Sequence, residues 1–443
     1  MPTGDESRLG QDLRTRLARM SFEGDFSDLR KRRNRKTSAS RIAAVMIAVL
    51  VSVGAGGFLW SAFRPLGGGT NKLDGVGPPG VATDGTVPDG RLLVRTGSEL
   101  ALVPSGRSEA MPLAHAEYLE YTLSPDGATV AGRLARREDS GLFRPFALVL
   151  IDTSTGQREV LQEAGPKEAF GTPIWSPDGQ RLAYRRDEWG RDVTRGAFPG
   201  GETARYPCVI AVDGSSSTCY PELDPVLSIA WSPDGGSLWL ESVFSVQVLD
   251  VASGAVSTVV PENGGTEVPK ALEQLGFAGV ASVQFVSPAP SSSGAYVAAL
   301  ALFETTAGPS MSVPMIFDAA DGSLRATGMP NRGPSQSAWS PTRDVFAYST
   351  GVVGISQPGD PPLGVRLLTP SGEDQLLVST ADIPNIEGKS DPFILRLTWS
   401  PSGEWLAVGG REQITIVNVD GGSVRTIDPF EPFEDSELLD WGR

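Results

Sequence analysis

Histidine and cysteine are almost absent from this sequence: one His and two Cys occur among 443 residues. With His115 alone, the chain cannot build a metal centre of several His ligands or a catalytic triad that needs a second histidine. Acidic residues outnumber basic ones by 53 to 38, and the net charge of −15 opposes binding to nucleic-acid phosphates. We therefore expect no metal, no cofactor and no nucleic-acid partner.

Long apolar runs are also scarce, and the exception is residues 42–63, which are 22 residues without a charge. At about 1.5 Å per residue a helix of this length spans roughly 33 Å, enough for a bilayer core of about 30 Å. Basic residues crowd positions 30–41 before the run, which predicts a cytoplasmic N-terminus and an extracytoplasmic remainder. The alternative is a cleaved signal peptide, but 41 residues precede the run, far more than the short basic front of such peptides.

The predicted membrane span divides the charge of the chain. Residues 1–41 hold 11 basic and 6 acidic side chains, net +5, which leaves 38−11 = 27 basic and 53−6 = 47 acidic residues, net −20, beyond the span. Leu9, Leu13, Leu17 and Met20 follow a helical spacing, so the tail could bind a cytoplasmic partner or could only lie on the membrane. Residues 64–90 contain 8 Gly and 4 Pro and are predicted to be a linker.

A repeat of about 50 residues organises positions 91–443, the period typical of propellers. Its clearest mark is Ser-Pro-Asp-Gly, whose Pro and Gly positions favour a type I turn. The copies begin at Ser124, Ser176 and Ser232, with degenerate copies at Ser287-Pro288, Ser340-Pro341 and Ser400-Pro401.

Three apolar elements of this repeat can each be counted seven times: a strand before the turn, one after it, and one that ends at a later Gly. The seventh strand of the first kind, residues 437–441, is at the C-terminus, whereas its companions are at 91–113. This offset predicts an all-β, seven-bladed propeller closed by pairing of its two ends. A six-bladed ring is the alternative, if the terminal strands pair with neighbouring blades.

The repeat resembles the WD40-like repeats of TolB-type propellers, in which Trp precedes Ser-Pro-Asp-Gly. The match here is Trp175 to Gly179 and Trp231 to Gly235, with partial copies at Trp339 and at Trp399 to Gly403. This resemblance implies the propeller fold over residues 91–443. TolB proteins usually have six blades after a mixed α/β domain, so their role in envelope assembly is not implied for this chain.

Most conspicuous residues of the repeat have a structural interpretation. The recurring Trp residues are expected to pack between blades, and Asp126, Asp178 and Asp234 to hydrogen-bond within their own turns. Cys208 and Cys219 flank Asp213-Gly214 symmetrically, so a two-residue hairpin would place them opposite each other. Outside the cell this favours a disulfide, formed across a hydrogen-bonded pair; two buried thiols are the alternative.

Ligand contacts are expected on one face of the ring. The turns after the first and third strands of a blade share an edge, and these turns are short in every repeat. The opposite face carries connections of variable length, where recognition usually resides. Trp189, Phe198 and Phe277 are the candidate ligand contacts in these connections. Each could instead be a loop anchor packed on the blades.

The sequence contains no nucleophile elbow and no partner motif for His115, so no enzyme is predicted. The leading hypothesis is a single-pass membrane protein whose extracytoplasmic propeller binds a protein or cell-envelope ligand without chemistry. One alternative is a transmembrane sensor or anti-sigma-like regulator that acts through the 1–41 tail. Another is a propeller hydrolase of glycans or lactones, which would gather acidic residues of perturbed pKa around the central channel.

Overall fold

The computed structural model describes most of the predicted propeller. The described residues are 86–96, 99–115, 120–137, 143–189, 203–223, 225–242, 245–280, 282–304, 310–332, 335–350, 364–379, 396–409, 414–421, 423–427 and 436–442. The predicted tail, membrane span and nearly all of the linker lie outside these residues, and their boundaries stay predictions. Over the described ranges, no helix has the length and apolar character needed to cross a bilayer.

Seven antiparallel sheets confirm the seven-bladed all-β propeller and exclude six blades. Among the described residues, one helix, α1 (Glu267–Gln274), and two short 3₁₀ turns, Pro221–Leu223 and Glu262–Gly264, lie in the connections between blades 2, 3 and 4. The strands, in chain order, are β1 (Arg91–Thr96), β2 (Glu99–Pro104) and β3 (Met111–His115) of blade 7; β4 (Tyr121–Leu123), β5 (Thr129–Arg137), β6 (Phe143–Asp152) and β7 (Arg158–Glu163) of blade 1; β8 (Glu168–Phe170), β9 (Ile174–Trp175), β10 (Arg181–Trp189), β11 (Thr203–Ala211) and β12 (Ser217–Cys219) of blade 2; β13 (Val226–Trp231), β14 (Ser237–Ser242), β15 (Ser245–Asp250) and β16 (Val256–Val260) of blade 3; β17 (Val283–Pro290), β18 (Tyr296–Glu304), β19 (Ser310–Asp318), β20 (Leu324–Thr327) and β21 (Asn331–Arg332) of blade 4; β22 (Ser337–Trp339), β23 (Phe346–Thr350), β24 (Gly364–Leu368) and β25 (Asp374–Ser379) of blade 5; β26 (Arg396–Trp399), β27 (Trp405–Gly409), β28 (Ile414–Asn418) and β29 (Val424–Ile427) of blade 6; and β30 (Ser436–Gly442), which returns to blade 7.

The C-terminal strand closes the ring as predicted. β30 pairs antiparallel with β1, setting Trp441 opposite Leu92 and Leu438 opposite Val94, with a bulge between the two pairs. The first strands of neighbouring blades contact one another all the way round, including β30 with β4 and with β26. These strands therefore surround the central axis.

The hydrophobic core is divided into seven main clusters, one between each pair of adjacent blades. Strands alternate their side chains between two faces, so each sheet supplies one cluster on each side. The cluster between blades 3 and 4, for example, joins Trp239 of β14 to Phe285 and Phe303 of blade 4. Each blade is therefore stabilised by its neighbours more than by its own interior.

The repeated Trp residues join blades, as expected. The indole N–H of Trp175 donates to the Thr122 carbonyl of blade 1 at 3.2 Å, and that of Trp231 donates to the Ile174 carbonyl of blade 2 at 3.1 Å. Trp339 and Trp399 repeat this bond to Ala289 and Ala338 of the preceding blades. Trp441 instead donates to the Asp89 carbonyl at 2.7 Å, which ties the C-terminal strand to the chain just before β1.

The Ser-Pro-Asp-Gly segments form tight turns, and their aspartates accept hydrogen bonds within those turns. In the copy at Ser176, the Gly179 N–H donates to the Ser176 carbonyl, and Asp178 accepts from the Ser176 hydroxyl and from the Gln180 N–H. The Ser124 and Ser232 copies have the same bonds. These bonds lower the pKa of Asp178, the serine hydroxyl contributing most.

The turn assigned to Ser287-Pro288 is wrong. Both residues lie inside β17, and the turn is formed by Ser291 to Gly294, with the Gly294 N–H donating to the Ser291 carbonyl. Gly294 adopts a φ of 73°, which a glycine at the end of such a turn accepts without strain. The Ser287 segment has no glycine at that position, so the Ser-Pro pair alone does not locate the turn.

Cys208 and Cys219 form the predicted disulfide, with Cα atoms 4.1 Å apart. Their pairing across β11 and β12 is confirmed, but the expected hydrogen-bonded register is wrong. The Ala211 N–H donates to the Ser216 carbonyl, so the loop has four residues, 212–215, instead of two. This shift makes the cysteines a non-hydrogen-bonded pair, in which opposing Cα atoms are closer.

The short turns share one face of the ring, called here the turn face. The Thr153 N–H, from a turn after a third strand, donates to the Ala128 carbonyl, beside a turn after a first strand. Val212 and Val251 make the same bond to Gln180 and Gly236. The opposite face, called here the loop face, carries the connections after second and fourth strands, including α1.

Candidate functional site

One position of the repeat carries polar side chains that reach the inner end of the neighbouring blade. It is the ninth residue after the turn serine, on the second strand of each blade, and blades 1, 2 and 3 place Arg133, Arg185 and Glu241 there. Blades 4, 5 and 6 place Leu300, Ser349 and Gly409 at the same position. In blade 7 the equivalent residue on β1 is Arg95, three residues after Leu92, which pairs with Trp441 as Leu182 pairs with Trp175. Long polar side chains therefore occupy this position in four consecutive blades, 7, 1, 2 and 3.

The side chains at this position in blades 1, 2 and 3 each make a hydrogen bond to the next blade. Arg133 Nη1 donates to the Phe170 carbonyl at 3.0 Å, and Arg185 Nη1 donates to the Leu227 carbonyl at 2.7 Å. Glu241 Oε2 accepts from the Ser287 N–H at 3.0 Å. The inner ends of blades 1 to 4 are thus joined by successive charge-assisted hydrogen bonds, which are stronger than neutral ones.

Both arginines also carry a carboxylate partner. Arg133 pairs with Glu120 at 3.3 Å, and Thr172 donates its hydroxyl to the same carboxylate. Arg185 forms a bidentate ion pair with Asp187, donating through Nε at 2.7 Å and through Nη2 at 3.0 Å. Glu120, Arg133, Thr172, Arg185 and Asp187 are called here the mouth cluster.

The mouth cluster lies toward the loop face. First strands run from the loop face to the turn face, and Glu120 and Thr172 stand just before β4 and β9. The side chain of Glu120 is 50% exposed, that of Arg185 28% and that of Asp187 18%, so solvent reaches the cluster. Burial lowers the pKa of Arg133 and nearby Glu120 opposes that change.

Glu241 lies deeper than the cluster and is only 5% exposed. Its carboxylate accepts from the Ser228 hydroxyl at 2.7 Å and from the Gln284 amide at 3.4 Å, besides the Ser287 N–H. Burial raises the pKa of Glu241, and these donors, together with Arg185, only partly offset the rise. Gln284 Oε1 is buried without a hydrogen-bond partner among the described residues.

A second inner carboxylate belongs to the closing strand. Asp440 of β30 accepts from the Leu123 N–H of blade 1 at 2.9 Å and from the Trp441 N–H at 2.8 Å. Burial raises the pKa of this carboxyl, while the Leu123 N–H and the charge of Arg396 oppose the rise. These bonds give Asp440 a structural role at the closure.

The structure separates the predicted ligand contacts. Trp189 ends β10, is 39% exposed, and shares a strand face with Arg185 and Asp187 because side chains two and four residues apart point the same way. Phe277 follows α1 and packs on the core between blades 3 and 4, its ring 5.1 Å from that of Phe303. Phe198 lies outside the described residues. All three stay predictions as ligand contacts.

The described ranges contain no group of three or more His, Cys, Asp or Glu residues placed to hold a metal ion. The mouth cluster supplies two carboxylates, and a guanidinium pairs with each of them. Its chemistry is that of paired hydrogen-bond donors and acceptors.

Sequence reasoning missed Arg133, Arg185 and Glu241, although a usable signal exists. Aligning the repeats on the turn serine places all three at one position, where blades 4, 5 and 6 have small or apolar residues. Glu120 and Asp187 have no such signal, because they are recognised only through the arginines that they contact.

Comparison with solved structures finds other propellers. The oligogalacturonate lyase of Vibrio parahaemolyticus is 10% identical with a TM-score of 0.52, over 77% of this chain and 90% of that one. A functionally unknown protein of Desulfotomaculum acetoxidans is 12% identical with a TM-score of 0.47, over 79% and 99%. A putative TolB of Agrobacterium tumefaciens is 15% identical with a TM-score of 0.35, over 66% and 88%.

At these identities the likeness shows the propeller fold alone. No family model matches the chain, and no curated protein matches it. Fold alone does not separate ligand binding from catalysis, because propellers serve both.

Proposed function

We propose that this protein is a membrane-anchored extracytoplasmic propeller that binds a protein or cell-envelope ligand at its loop face without chemical conversion. The observation that carries the proposal is the mouth cluster, which gathers two partly exposed ion pairs on the face that also bears the variable connections. Rigid strands position these polar groups, as a preorganised binding site requires.

The contacts made by the carboxylates favour binding over catalysis. Glu120 and Asp187 are each in contact with an arginine, so their carboxylate oxygens already accept from a guanidinium. Glu241 has the raised pKa expected of a general acid, but its burial and its three donors separate it from any ligand at the mouth. Glu241 is therefore not placed to act as an acid on a ligand at the mouth.

The anchor rests on the sequence. Residues 42–63 carry no charge and follow a basic segment, and the net charges on the two sides, +5 and −20, suit a cytoplasmic tail and a soluble outer domain. β1 begins at the turn face, where Arg91 donates to the Gly127 carbonyl of a blade 1 turn. A linker that joins at this point would leave the loop face directed away from the membrane.

Site-specific photo-crosslinking in intact cells tests the binding face. A photoreactive residue at Trp189 is expected to capture an envelope component, whereas one at exposed Ser154 on the turn face serves as the matched control. Equal yields at both positions, or none at Trp189, would count against the loop face as the binding surface.

Alkaline extraction of membranes tests the anchor separately. The intact chain is expected in the membrane pellet, and a variant with Val49→Arg and Leu50→Arg in the soluble fraction, because two charges in the middle of the span oppose insertion. If the intact chain is extracted as readily as this variant, the anchor proposal fails.

A further inference from the structure

Glu241 is a buried carboxyl group without an ion-pair partner among the described residues. It is only 5% exposed, and the Arg185 guanidinium acts on it through space. The hydrogen bonds of Arg185, however, go to Asp187 and to the Leu227 carbonyl. A buried carboxylate that lacks an ion pair is unfavourable, and this favours the neutral form of Glu241.

A β-bulge in β17 directs a backbone donor toward this carboxyl group. Ser287 has a φ of 52°, which is uncommon outside glycine, and the register of β17 against β18 shifts here, between Val286 and Ala289. The Ser287 N–H donates to Glu241 Oε2 at 3.0 Å, and the Ser228 hydroxyl donates to the same oxygen at 2.7 Å. Because Oε2 already accepts two hydrogen bonds, a proton on Glu241 belongs on Oε1.

The side-chain amide of Gln284 faces Glu241 Oε1. Its Nε2 lies 3.4 Å from that oxygen, longer than an ordinary N–H···O bond of about 2.7–3.2 Å, and its carbonyl oxygen is buried without a partner among the described residues. An ionised Glu241 requires the NH₂ end of this amide, whereas a neutral Glu241 can donate its proton to the carbonyl end. The amide therefore has a different favourable orientation for each protonation state of Glu241.

The peptide group between Leu227 and Ser228 connects Glu241 to the mouth cluster. Ser228 donates to Glu241, and the Leu227 carbonyl accepts from Arg185 Nη1 at 2.7 Å. The other donors of Arg185, Nε and Nη2, bind Asp187. When Glu241 ionises, its negative charge attracts the Arg185 guanidinium and competes with Asp187 for it.

The remaining charges near this path are on the Asp187 side of it. Arg205 of β11 stands opposite Asp187 in the strand register, and Arg133 of blade 1 interacts through space with the same carboxylate. Strands β13 and β17 contain no titratable residue, and β15 contains only Asp250, at its turn-face end. The described strands packed beside Glu241 in blades 3 and 4 therefore bring it no second charge.

We propose that Glu241 is a proton-binding site at the junction of blades 3 and 4, and that its proton controls the ion pair between Arg185 and Asp187 in the mouth cluster. With the proton bound, Glu241 donates to the Gln284 carbonyl, and Arg185 remains with Asp187. When the proton passes to solvent, Arg185 is shared between two carboxylates, and Asp187 becomes more available to a ligand. This inference goes beyond the proposed function and does not depend on which ligand the loop face binds.

Infrared spectroscopy of the full chain in detergent tests for the proton, through the C=O absorption that a neutral carboxyl group has and a carboxylate lacks. The parent spectrum minus that of Glu241→Gln isolates the band of Glu241. An ordinary glutamic acid, with a pKa near 4.5, is mostly ionised at about pH 5.5. We expect the Glu241 band to be present at this pH and to be lost as the pH rises. Absence of the band at about pH 5.5 would overturn the proposal.

Gln284→Leu tests the acceptor of the proton. This variant removes the carbonyl to which neutral Glu241 donates, so the band should move to higher frequency. The moved band also identifies Glu241 if the Glu241→Gln chain does not fold. A band that stays at the parent frequency would reject Gln284 as the acceptor.

Asp187→Asn tests the link to the mouth cluster. It releases Arg185, whose charge then favours the ionised form of Glu241, so the midpoint of the band in a pH titration should fall by at least about 0.5 pH unit. Asp213→Asn removes the same charge from an exposed turn of the same blade and should leave the midpoint unchanged. Thermal unfolding verifies that each variant is folded. A midpoint in Asp187→Asn equal to that of the parent would refute the coupling.

Discussion

At the scale of single residues, the indole N–H groups show how adjacent blades are held in register. Trp231 of blade 3 donates to the Ile174 carbonyl of blade 2, and the Arg181 guanidinium stacks 4.9 Å from its ring centre. The bond crosses the boundary between two sheets that share no backbone ladder. One side chain thus supplies both apolar area and a directional contact to the neighbouring blade.

We expect Trp231→Phe to lower the free energy of unfolding by about 1–3 kcal/mol, because the Ile174 carbonyl loses its donor in a partly buried place. Trp189→Phe is the matched control, since Trp189 is exposed, and should change stability by less than about 0.5 kcal/mol. Chemical denaturation of the two variants measures both values. Similar losses in both would show that indole size, and not the bond between blades, governs the effect.

The buried carboxyl of Glu241 should make stability depend on pH. Its folded pKa is raised above the unfolded value near 4.5, so the folded state holds the proton more tightly. Stability is therefore lost as the pH rises from about 4.5 through the folded pKa. Glu241→Gln removes this loss, and its new amide can donate to the orphaned Gln284 Oε1, so we expect the variant to be the more stable at neutral pH.

Thermal unfolding of the parent and Glu241→Gln chains from pH 4 upward measures the difference, which should grow with pH. Asp178→Asn should show the opposite pH dependence in a series extended down to about pH 2: bonds from Ser176 and Gln180 lower the pKa of Asp178, so its stabilising contribution is present above about pH 3.8 and is lost as the pH falls below that value. A Glu241→Gln chain less stable than the parent at neutral pH would mean that the charge of Glu241 is stabilising.

At the scale of elements, the hairpin of β11 and β12 is cross-linked by the disulfide between Cys208 and Cys219. Cys208 is fully buried in the core between blades 1 and 2, and Cys219 packs at its margin. The two cysteines are 11 residues apart in the sequence, and closing a loop of this length corresponds to about 2–3 kcal/mol of free energy. We expect reductant to lower the free energy of unfolding by this amount. The Cys208→Ala/Cys219→Ala chain should already show the loss and be indifferent to reductant; a reductant-dependent change in that variant would point to another cause.

Comparison of elements also shows what the sequence could predict. The strands and most turns follow from local signals, namely alternating apolar residues and a Pro and Gly in fixed positions, as at Ser176 to Gly179. Blade 4 lacks that complete signal, and its turn begins at Ser291 instead of the predicted Ser287. The helix α1, within a connection expected only to be long, rests on burial of Val268 and Leu272 against blade 4 rather than on a capping signal.

The hydrogen bonds that join the inner ends of blades 1 to 4 could not be predicted in the same way, because they link residues far apart in the chain. Arg133, Arg185 and Glu241 contact partners 37, 42 and 46 residues away. Such contacts depend on how each blade is rotated against the next, and single-sequence periodicity contains no information on that rotation. The repeat nevertheless predicts the position at which these residues occur, nine residues after the turn serine.

At the scale of the whole molecule, stability depends on closure of the ring. β30 supplies Leu438 and Trp441 to the core between blades 6 and 7, and Leu439 to the core between blades 7 and 1. At about 1.5–3 kcal/mol for each buried side chain, the three together contribute roughly 5–9 kcal/mol. This sum is comparable to the entire stability of an ordinary domain, about 5–15 kcal/mol.

A chain that ends at residue 435 should therefore lose its cooperative unfolding transition, whereas removal of Arg443 alone should leave the transition unchanged. Hydrogen exchange should show early loss of protection in β1, which pairs with β30, and in β4, whose Leu123 N–H donates to Asp440 of β30. A synthetic peptide of residues 430–443 should restore protection, because β30 enters its sheet as a separate segment that pairs along β1 and bonds to Asp89 and Leu123. If the truncated chain kept full protection in β1 and β4, the remaining six blades would be self-sufficient, and closure would serve orientation of the loop face rather than stability.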